Sequence, residues 1–263
     1  MRQADLAALL EELALVARLA GDAIMAVYGV GCAVQHKGDL SPVTEADLAA
    51  HHVLLSRLQA LLPGCPVVSE EDAASQTHRR GSGRFWLIDP LDGTKEFIAC
   101  NGEFTVNIGL IEEGRSVLGV VYAPAIDALY RGGPGIGASR SIGAQTSAIQ
   151  VGGADGVCRV VASKSHLNAQ TQAFIDRLGL VSLVQAGSSL KFCRVAEGQA
   201  DIYPRLAPTC EWDTAAAQAI LEGAGGAVLD LQGQPLRYGK PDVLNPSFIA
   251  TRDVRILPCC TGG

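Results

Sequence analysis

The sequence predicts a layered α/β protein whose first half is of α+β type. Three patterns carry that expectation. Two stretches before residue 63 repeat apolar side chains at helical spacing. Residues 104–122 alternate like a pair of strands joined by a turn. From residue 159 onward, strand-like and helix-like segments take turns, an order that stacked sheets and helices accommodate.

The first helix lies in the N-terminal 30 residues, where Leu6, Leu9, Leu10, Leu13, Val16 and Leu19 form the expected apolar stripe. Asp5, Glu11, Glu12, Arg18 and Asp22 interrupt that stretch, so it offers neither a membrane span nor the order of a signal peptide. A short strand is expected at 32–35. A second helix follows at about 43–62, with Leu48, His52, Leu55, Leu58 and Leu62 along one face and Pro63-Gly64 as its stop. Short apolar runs at 66–69 and 85–88 each end in acidic residues. In the hairpin, Phe104, Val106, Ile108 and Leu110 alternate, 112–115 turn, and 117–122 return.

The glycine-rich patch at 132–143 is expected to be a loop. Its G-x-G-x-x-A match, Gly133 to Ala138, contains Pro134 and opens no helix, so a dinucleotide fingerprint is rejected. Beyond it come strands at 159–162, 181–185, 200–203, 227–230 and 247–251, and helices at about 168–178, 189–197 and 213–221. This order predicts one domain, with subdomains of about 1–140 and 141–263.

With 48% hydrophobic and 18% charged residues, the chain is globular rather than disordered. A formal charge of −6, with no Lys/Arg run longer than two, excludes a broad nucleic-acid surface. The eight cysteines include no C-x-x-C pair and read as scattered thiols of a reducing cytoplasm.

The chemistry concentrates in FWLIDPLDGTKEF, residues 85–97. A buried strand ending at Asp89 would place that carboxylate where open sheets hold ligands. Pro90 turns the chain so that Asp92 folds back, Gly93 permits positive φ, and Thr94 can begin a helix. The segment alone fits a capped structural turn equally well. Glu70, closing the preceding apolar run, and Asp213, heading an Ala-rich helix, favour a shared site. Two like charges about 4 Å apart repel by roughly 1 kcal/mol in water and about 4 kcal/mol at an effective dielectric near 20. Four converging carboxylates therefore need protons or cations, and an all-oxygen set suits Mg²⁺, with Mn²⁺ as a substitute.

Other acidic and phosphate motifs fail on spacing. An EF-hand loop from Asp89 reaches Cys100 at its last ligand position, and one from Asp92 has Phe97 where glycine is required. There is no P-loop. Asp89 and Asp92 are also too far apart in sequence to be a D-x-D nucleophile pair.

Glu70, Asp89-Pro90-Leu91-Asp92-Gly93-Thr94 and Trp212-Asp213-Thr214-Ala215-Ala216 together resemble the three-part signature of the inositol-monophosphatase-like, Mg²⁺-dependent and lithium-sensitive phosphatases. Lys95-Glu96-Phe97-Ile98, the stretch Asn101 to Ile108, Gly187 to Cys193 and Tyr203-Pro204-Arg205 resemble its 3'(2'),5'-bisphosphate nucleotidases of the bacterial CysQ type. The resemblance implies a five-layered αβαβα fold. It also implies hydrolysis of 3'-phosphoadenosine 5'-phosphate to AMP and phosphate by a metal-activated water, in sulfur assimilation.

Two or three Mg²⁺ ions would be held by Glu70, Asp89, Asp92, Asp213 and the Leu91 carbonyl. Thr94 and Glu70, with Asp47 behind, would orient the water, and Gly93 and Thr94 would hold the phosphate beside Asp92 and Asp213. Thr44-Glu45-Ala46-Asp47 is also what an ordinary helix start looks like. Ser163, Lys164 and Ser165, with Lys191 and Arg205, are candidates for a second phosphate. Without the resemblance, Ser163 to Ser165 read as well as a polar loop capping the next helix, and Lys191 and Arg205 read rather as solvated surface charges. His36, His51, His52 and His78 lie outside every motif.

The implied partner is a small phosphorylated adenine nucleotide, without nucleic acid or stable membrane insertion. The implied state is a monomer or homodimer in the cytoplasm, with or without loose attachment to the inner membrane. Two alternatives share the motifs: an inositol or sugar phosphatase with the same metal site, and a non-catalytic nucleotide- or metal-binding regulator.

Overall fold

The computed structural model describes residues 2–29, 34–36, 42–81, 83–153, 156–162 and 168–256. Helix α1 (Gln3–Met25) and the short β1 (Val34–His36) and β2 (Pro42–Thr44) lead into α2 (Glu45–Leu61). Thr44 caps α2: its Oγ1 accepts the Ala46 N–H at 3.2 Å, and Asp47 Oδ2 accepts the Thr44 N–H at 2.7 Å.

A seven-stranded sheet follows, built from β3 (Val67–Ser69) and β4 (Arg84–Asp92), then, after the one-turn α3 (Thr94–Ile98), β5 (Thr105–Glu112), β6 (Arg115–Ala123), β7 (Ala128–Gly133), β8 (Gly137–Ile142) and β9 (Gln145–Ile149). The strands lie in sequence order; only β3 and β4 pair in parallel.

The second sheet draws on β10 (Cys158–Ala162), α4 (Ala169–Arg177), β11 (Val181–Gln185), α5 (Leu190–Ala196), β12 (Ile202–Arg205), α6 (Glu211–Gly223), β13 (Ala227–Asp230) and β14 (Phe248–Thr251). Its order is β11-β10-β12-β14-β13, parallel around β10 and antiparallel at β14.

Packing turns these parts into five layers. Leu13, Ala17 and Ile24 of α1 and Leu54 and Leu58 of α2 are buried against Trp86, Ile88, Val106 and Val120 on one face of the large sheet. On its other face, Val121, Ala128 and Tyr130 meet Phe192 and Val195 of α5 and Ala216 and Ile220 of α6. Those helices in turn cover Tyr203, Val228 and Phe248 of the second sheet. Phe174 and Ile175 of α4 close the outer face over Val160, Ile202 and Ile249. The αβαβα expectation holds.

The helix α6 lies unusually close to the large sheet, because Ala215 and Ala216 face Gly109 and Gly119 where no strand side chain intervenes. Behind its first turn, the fully buried Glu211 accepts from Lys240 Nζ at 2.6 Å and from the backbone N–H groups of Gly239 and Lys240, both at 3.0 Å. Arg79, 4% exposed, approaches it at 3.4 Å. These bonds set the height and rotation of the helix that carries Asp213.

Three expectations need correction. The patch at 132–143 is not a loop: Gly133 pairs with Gly137 and Ala128 with Ile142, making a hairpin that continues into β9. GASRSI carries almost no strand propensity, and backbone pairing with β7 supplies the order instead. The apolar face of α2 is also rotated from the one predicted. Ala46, Ala50, His51, Leu54 and Leu58 are inside, whereas Leu48 is 41% exposed and His52 faces solvent. Small alanines fit where the helix abuts α1 and β4, so counting large apolar residues mislocated the stripe. For the same reason Leu19 is exposed, while Ala14, Ala17 and Ala20 of α1 are buried.

Candidate active site

Parallel pairing places the first two carboxylates side by side. Ser69 of β3 aligns with Ile88 of β4, and the Glu70 N–H donates to the Ile88 carbonyl at 3.2 Å. Glu70 and Asp89 therefore leave neighbouring strand ends together. The β4–β5 register shifts between Asp89 and Asp92, so β4 bulges over Pro90 and Leu91. Asp89 Oδ1 accepts the Leu91 N–H at 3.1 Å, which holds the bulge closed.

Asp213 arrives from the opposite side, in the first turn of α6, with Oδ2 accepting the Cys210 N–H at 2.8 Å. One carboxylate oxygen from each of Glu70, Asp89 and Asp213 lies within 4.8 Å of the others. Burial, then the charges of Glu70, Asp92 and Asp213, hold the Asp89 carboxyl well above the usual carboxylate range. Asp213 is also held well above it by burial and by Asp92 and Glu70, against smaller opposing effects of the Cys210 N–H and Arg205. Every charge named for Asp89 is negative, so the group fits a bound cation, and all its donors are oxygen.

Asp92 stands beside this trio rather than within it. Its Oδ2 accepts the Ser189 N–H at 2.7 Å and the Ser189 hydroxyl at 2.8 Å. Asn107 Nδ2 and Thr105 Oγ1 approach the same oxygen at 3.3 and 3.4 Å. Next in the chain, Gly93 has φ +96°, and a Cβ there would collide with Ser188 Oγ. Thr94 begins α3, its Oγ1 3.3 Å from Asp47 Oδ1 and 3.4 Å from the Leu91 carbonyl. Asp47 is buried and uses its two oxygens differently, Oδ2 for the α2 cap and Oδ1 towards Thr94. The cap reading and the site reading of Asp47 thus describe the same side chain.

Asp92, Asp213, Ser188, Lys191, Tyr203 and Arg205 line a cavity of about 80 Å³. Lys191 is 7% exposed, with Nζ 5.6 Å from the centre of the Tyr203 ring. Burial lowers its pKa, Asp92 opposes that shift, and Arg205 adds to it. Arg205 donates to the Pro208 carbonyl at 3.1 Å, and its buried Nε has no hydrogen-bond partner. A larger cleft of about 800 Å³, lined by Gln76, Arg79, Arg80 and Pro241, contains none of the clustered carboxylates. Of the two, the smaller cavity is the one that adjoins the carboxylates, and its volume suits one anionic group rather than a whole small molecule, for which pockets run to about 300–1,000 Å³. Ser163, Lys164 and Ser165 lie outside the described residues.

The sequence motifs missed three supports. Ser189 and Asn107 sit inside recognisable stretches, yet their bonds to Asp92 depend on register and on the crossing of the two halves. His51 carried no motif at all. It is buried on α2 with Nδ1 2.9 Å from Ser69 Oγ, which accepts the Glu71 N–H at 3.2 Å, so it braces the turn presenting Glu70. Burial, then His52, depresses the His51 pKa, with Asp72 opposing. The helical position of His51 on an inward face was the available signal, and the misplaced stripe hid it.

Comparison with known proteins bears on the family and the fold. Residues 5–259 match the inositol monophosphatase family. The 3'(2'),5'-bisphosphate nucleotidase CysQ of Escherichia coli K12 is 48% identical over 243 residues, covering 91% of this chain and 98% of the relative. The Salmonella typhimurium protein of the same name is 49% identical over 246 residues, covering 92% and 99%. Among solved structures, CysQ from Bacteroides thetaiotaomicron superposes with a TM-score of 0.81 at 39% identity, covering 92% of this chain and 97% of that one. An inositol monophosphatase from Anabaena superposes with a TM-score of 0.75 at 26% identity, covering 97% and 96%. Sequence, layers and acidic centre converge: the chain belongs to the inositol monophosphatase family, alongside its CysQ 3'(2'),5'-bisphosphate nucleotidases.

Proposed function

We propose that this chain is a Mg²⁺-dependent phosphatase that removes the 3'-phosphate of 3'-phosphoadenosine 5'-phosphate, giving AMP and phosphate. The observation that carries the reading is the carboxylate trio opening beside a cavity with two cationic side chains. Curated relatives named 3'(2'),5'-bisphosphate nucleotidase, at 48–49% identity, support the nucleotide. Turnover of that nucleotide serves sulfur assimilation in this reading. The unbridged state of the described cysteines is in keeping with a reducing cytoplasm, and no helix among the described residues is long and apolar enough to cross a membrane.

Glu70, Asp89, Asp213, Asp92 and the Leu91 carbonyl would hold the ions, an oxygen set matched to Mg²⁺ or Mn²⁺. Bound there, the ions would lower the pKa of a water and supply positive charge for an in-line displacement. The rest falls to the chain's own groups. By donating its single hydroxyl hydrogen in a bond to Asp47, Thr94 leaves its oxygen lone pairs free to accept a hydrogen bond from the attacking water. That bond turns the water's lone pair towards phosphorus, and Glu70 provides a second acceptor. Gly93, with its left-handed backbone, and Thr94 present main-chain N–H groups to the scissile phosphate, whose other edge lies by Asp92 and Asp213. Phosphoryl transfer depends mainly on such positioning and charge stabilisation, so no covalent enzyme intermediate is required.

Lys191 and Arg205, with Ser163, Lys164 and Ser165, would meet the second phosphate. Lys191→Met tests this assignment, because methionine retains most of the buried stem while removing the charge. A charge-assisted contact is worth about 1.5–3 kcal/mol, so KM for 3'-phosphoadenosine 5'-phosphate is expected to rise roughly 10- to 100-fold. Adenosine 3'-phosphate, lacking the second phosphate, should show almost no change. Equal losses on both substrates would remove Lys191 from the second-phosphate site.

A further inference from the structure

Asp92 differs from the other three carboxylates in what restrains it. Among the described residues, every hydrogen bond made by its side chain goes to Oδ2. Two of the donors are the main chain and hydroxyl of Ser189, 97 positions away and on the far side of the large sheet from α1 and α2. Ser189 is 1% exposed and Asn107 is fully buried. Asn107 Nδ2 also donates to Ser189 Oγ at 2.8 Å, which leaves the hydroxyl proton to go to the carboxylate. The Asp213 carbonyl, 3.1 Å from Ser189 Oγ, is the weaker competitor for that proton. Next to it, Ser188 holds φ +45° while Oγ lies 2.9 Å from both the Asp92 and Glu103 carbonyls. The buried Ser189 and the half-buried Ser188, with its left-handed backbone, are thus tied to Asp92 through main chain and side chain together.

We propose that Ser189 and Asn107 are positioning residues that lock Oδ2 of Asp92 and so present its Oδ1 to a metal ion. This rests on the reading of Asp92 as a metal ligand. The donors satisfy one oxygen and fix the plane of the carboxylate, the role that outer hydrogen bonds commonly play around metal ligands. Because Ser189 immediately precedes α5, the same step ties this ligand to the helix bearing Lys191. Ser189 Oγ meets Asp213 at its main-chain carbonyl and Asp92 at its carboxylate, so of these two ligands it is the Asp92 carboxylate that the device orients.

The test is equilibrium Mn²⁺ binding to full-length, chelator-stripped protein, read from the EPR signal of free Mn²⁺. Wild type, Ser189→Ala, Asp92→Asn and the double variant are compared, with melting temperatures recorded alongside. Outer-ligand changes typically weaken metal binding 10- to 100-fold, and the retained Ser189 N–H puts the expected loss for Ser189→Ala near about 10-fold. In the Asp92→Asn background the same change should cost less than about 2-fold, since the bond's target has lost its charge. Unchanged Mn²⁺ affinity in Ser189→Ala, or an equal loss in both backgrounds, would overturn the proposal. Should the alanine variant not fold, Ser189→Cys keeps nearly the same shape with a weaker donor and is expected to move in the same direction. Wild-type protein that binds no Mn²⁺ would remove the metal-centre reading and this proposal together. Normal wild-type binding with no effect of Ser189→Ala would remove only the proposal.

Discussion

Asp213→Asn is expected to lower kcat/KM for metal-dependent phosphate release at least about 1,000-fold while raising the melting temperature of the metal-free protein at neutral pH. Loss of one carboxylate from a cation clamp removes several kcal/mol of charge stabilisation, which is the basis of that factor. The second effect has the same origin. Asp213 is held well above its ordinary value of 3.8 by burial, Asp92 and Glu70, so it gives up its proton less readily folded than unfolded. A carboxyl raised in this way contributes stability that is complete below the ordinary value and lost as pH climbs through the folded one. Metal-free wild type should therefore lose stability as pH rises from about 4 towards neutrality, and Asn, which keeps the acceptor for the Cys210 N–H, should lose less of it. Added Mg²⁺ should stabilise wild type and leave the variant almost unmoved. Thermal melts from pH 4 to 8, with and without Mg²⁺, check both halves. A variant less stable than wild type in the absence of metal would contradict the repulsion on which the site rests.

Gly119→Ala is expected to cost about 3 kcal/mol or more, near the top of the range for overpacking a close-packed interior. An added Cβ would collide with the Ala216 carbonyl oxygen and lie 2.7 Å from its carbon and 2.9 Å from Ala216 Cα. All three are backbone atoms, so no rotamer change relieves the clash, and α6 must lift from the sheet. Gly109 offers the internal control. Its nearest neighbour is Ala215 Cβ at 3.0 Å, a contact that a small shift accommodates. Urea denaturation of the two variants should rank Gly119→Ala well below Gly109→Ala. Because α6 carries Asp213, the Gly119 variant should also lose Mg²⁺ stabilisation in whatever fraction remains folded. Equal midpoints for the two variants would show that α6 does not rest on the sheet as described.

These two expectations also show which parts of the protein its sequence makes visible. Asp89, Asp92, Gly93 and Thr94 were legible because they fall within six successive residues, so one strand end and one bulge bring them together without long-range information. Glu70 followed because β3 and β4 are short, adjacent and end at the same level. Strand and helix order was legible too, since large apolar residues mark most elements. What escaped is whatever depends on small residues or on crossing points. Ala14, Ala17, Ala46 and Ala50 face inward where helices abut, and hydrophobic spacing weighted to leucine put the α2 stripe on the wrong face. The hairpin of β7 and β8 hides among glycines. Ser189 and Asn107 meet only because the two sheets sandwich α5 and α6, and no local pattern encodes a bond across 82 positions.

In the proposed reading, an acidic metal centre serves a substrate with two phosphates. The most direct measurement is kcat/KM for phosphate release with Mg²⁺, side by side on 3'-phosphoadenosine 5'-phosphate, inositol 1-phosphate and fructose 1,6-bisphosphate. Each tenfold preference reflects about 1.4 kcal/mol of transition-state binding, and a charge-assisted contact to the second phosphate supplies about 1.5–3 kcal/mol. A preference of at least about 10-fold, and with both Lys191 and Arg205 engaged about 100-fold or more, is expected for the nucleotide over inositol 1-phosphate, with all turnover abolished by chelation. A clear preference for inositol 1-phosphate, or turnover undiminished after the metal is removed, would contradict it.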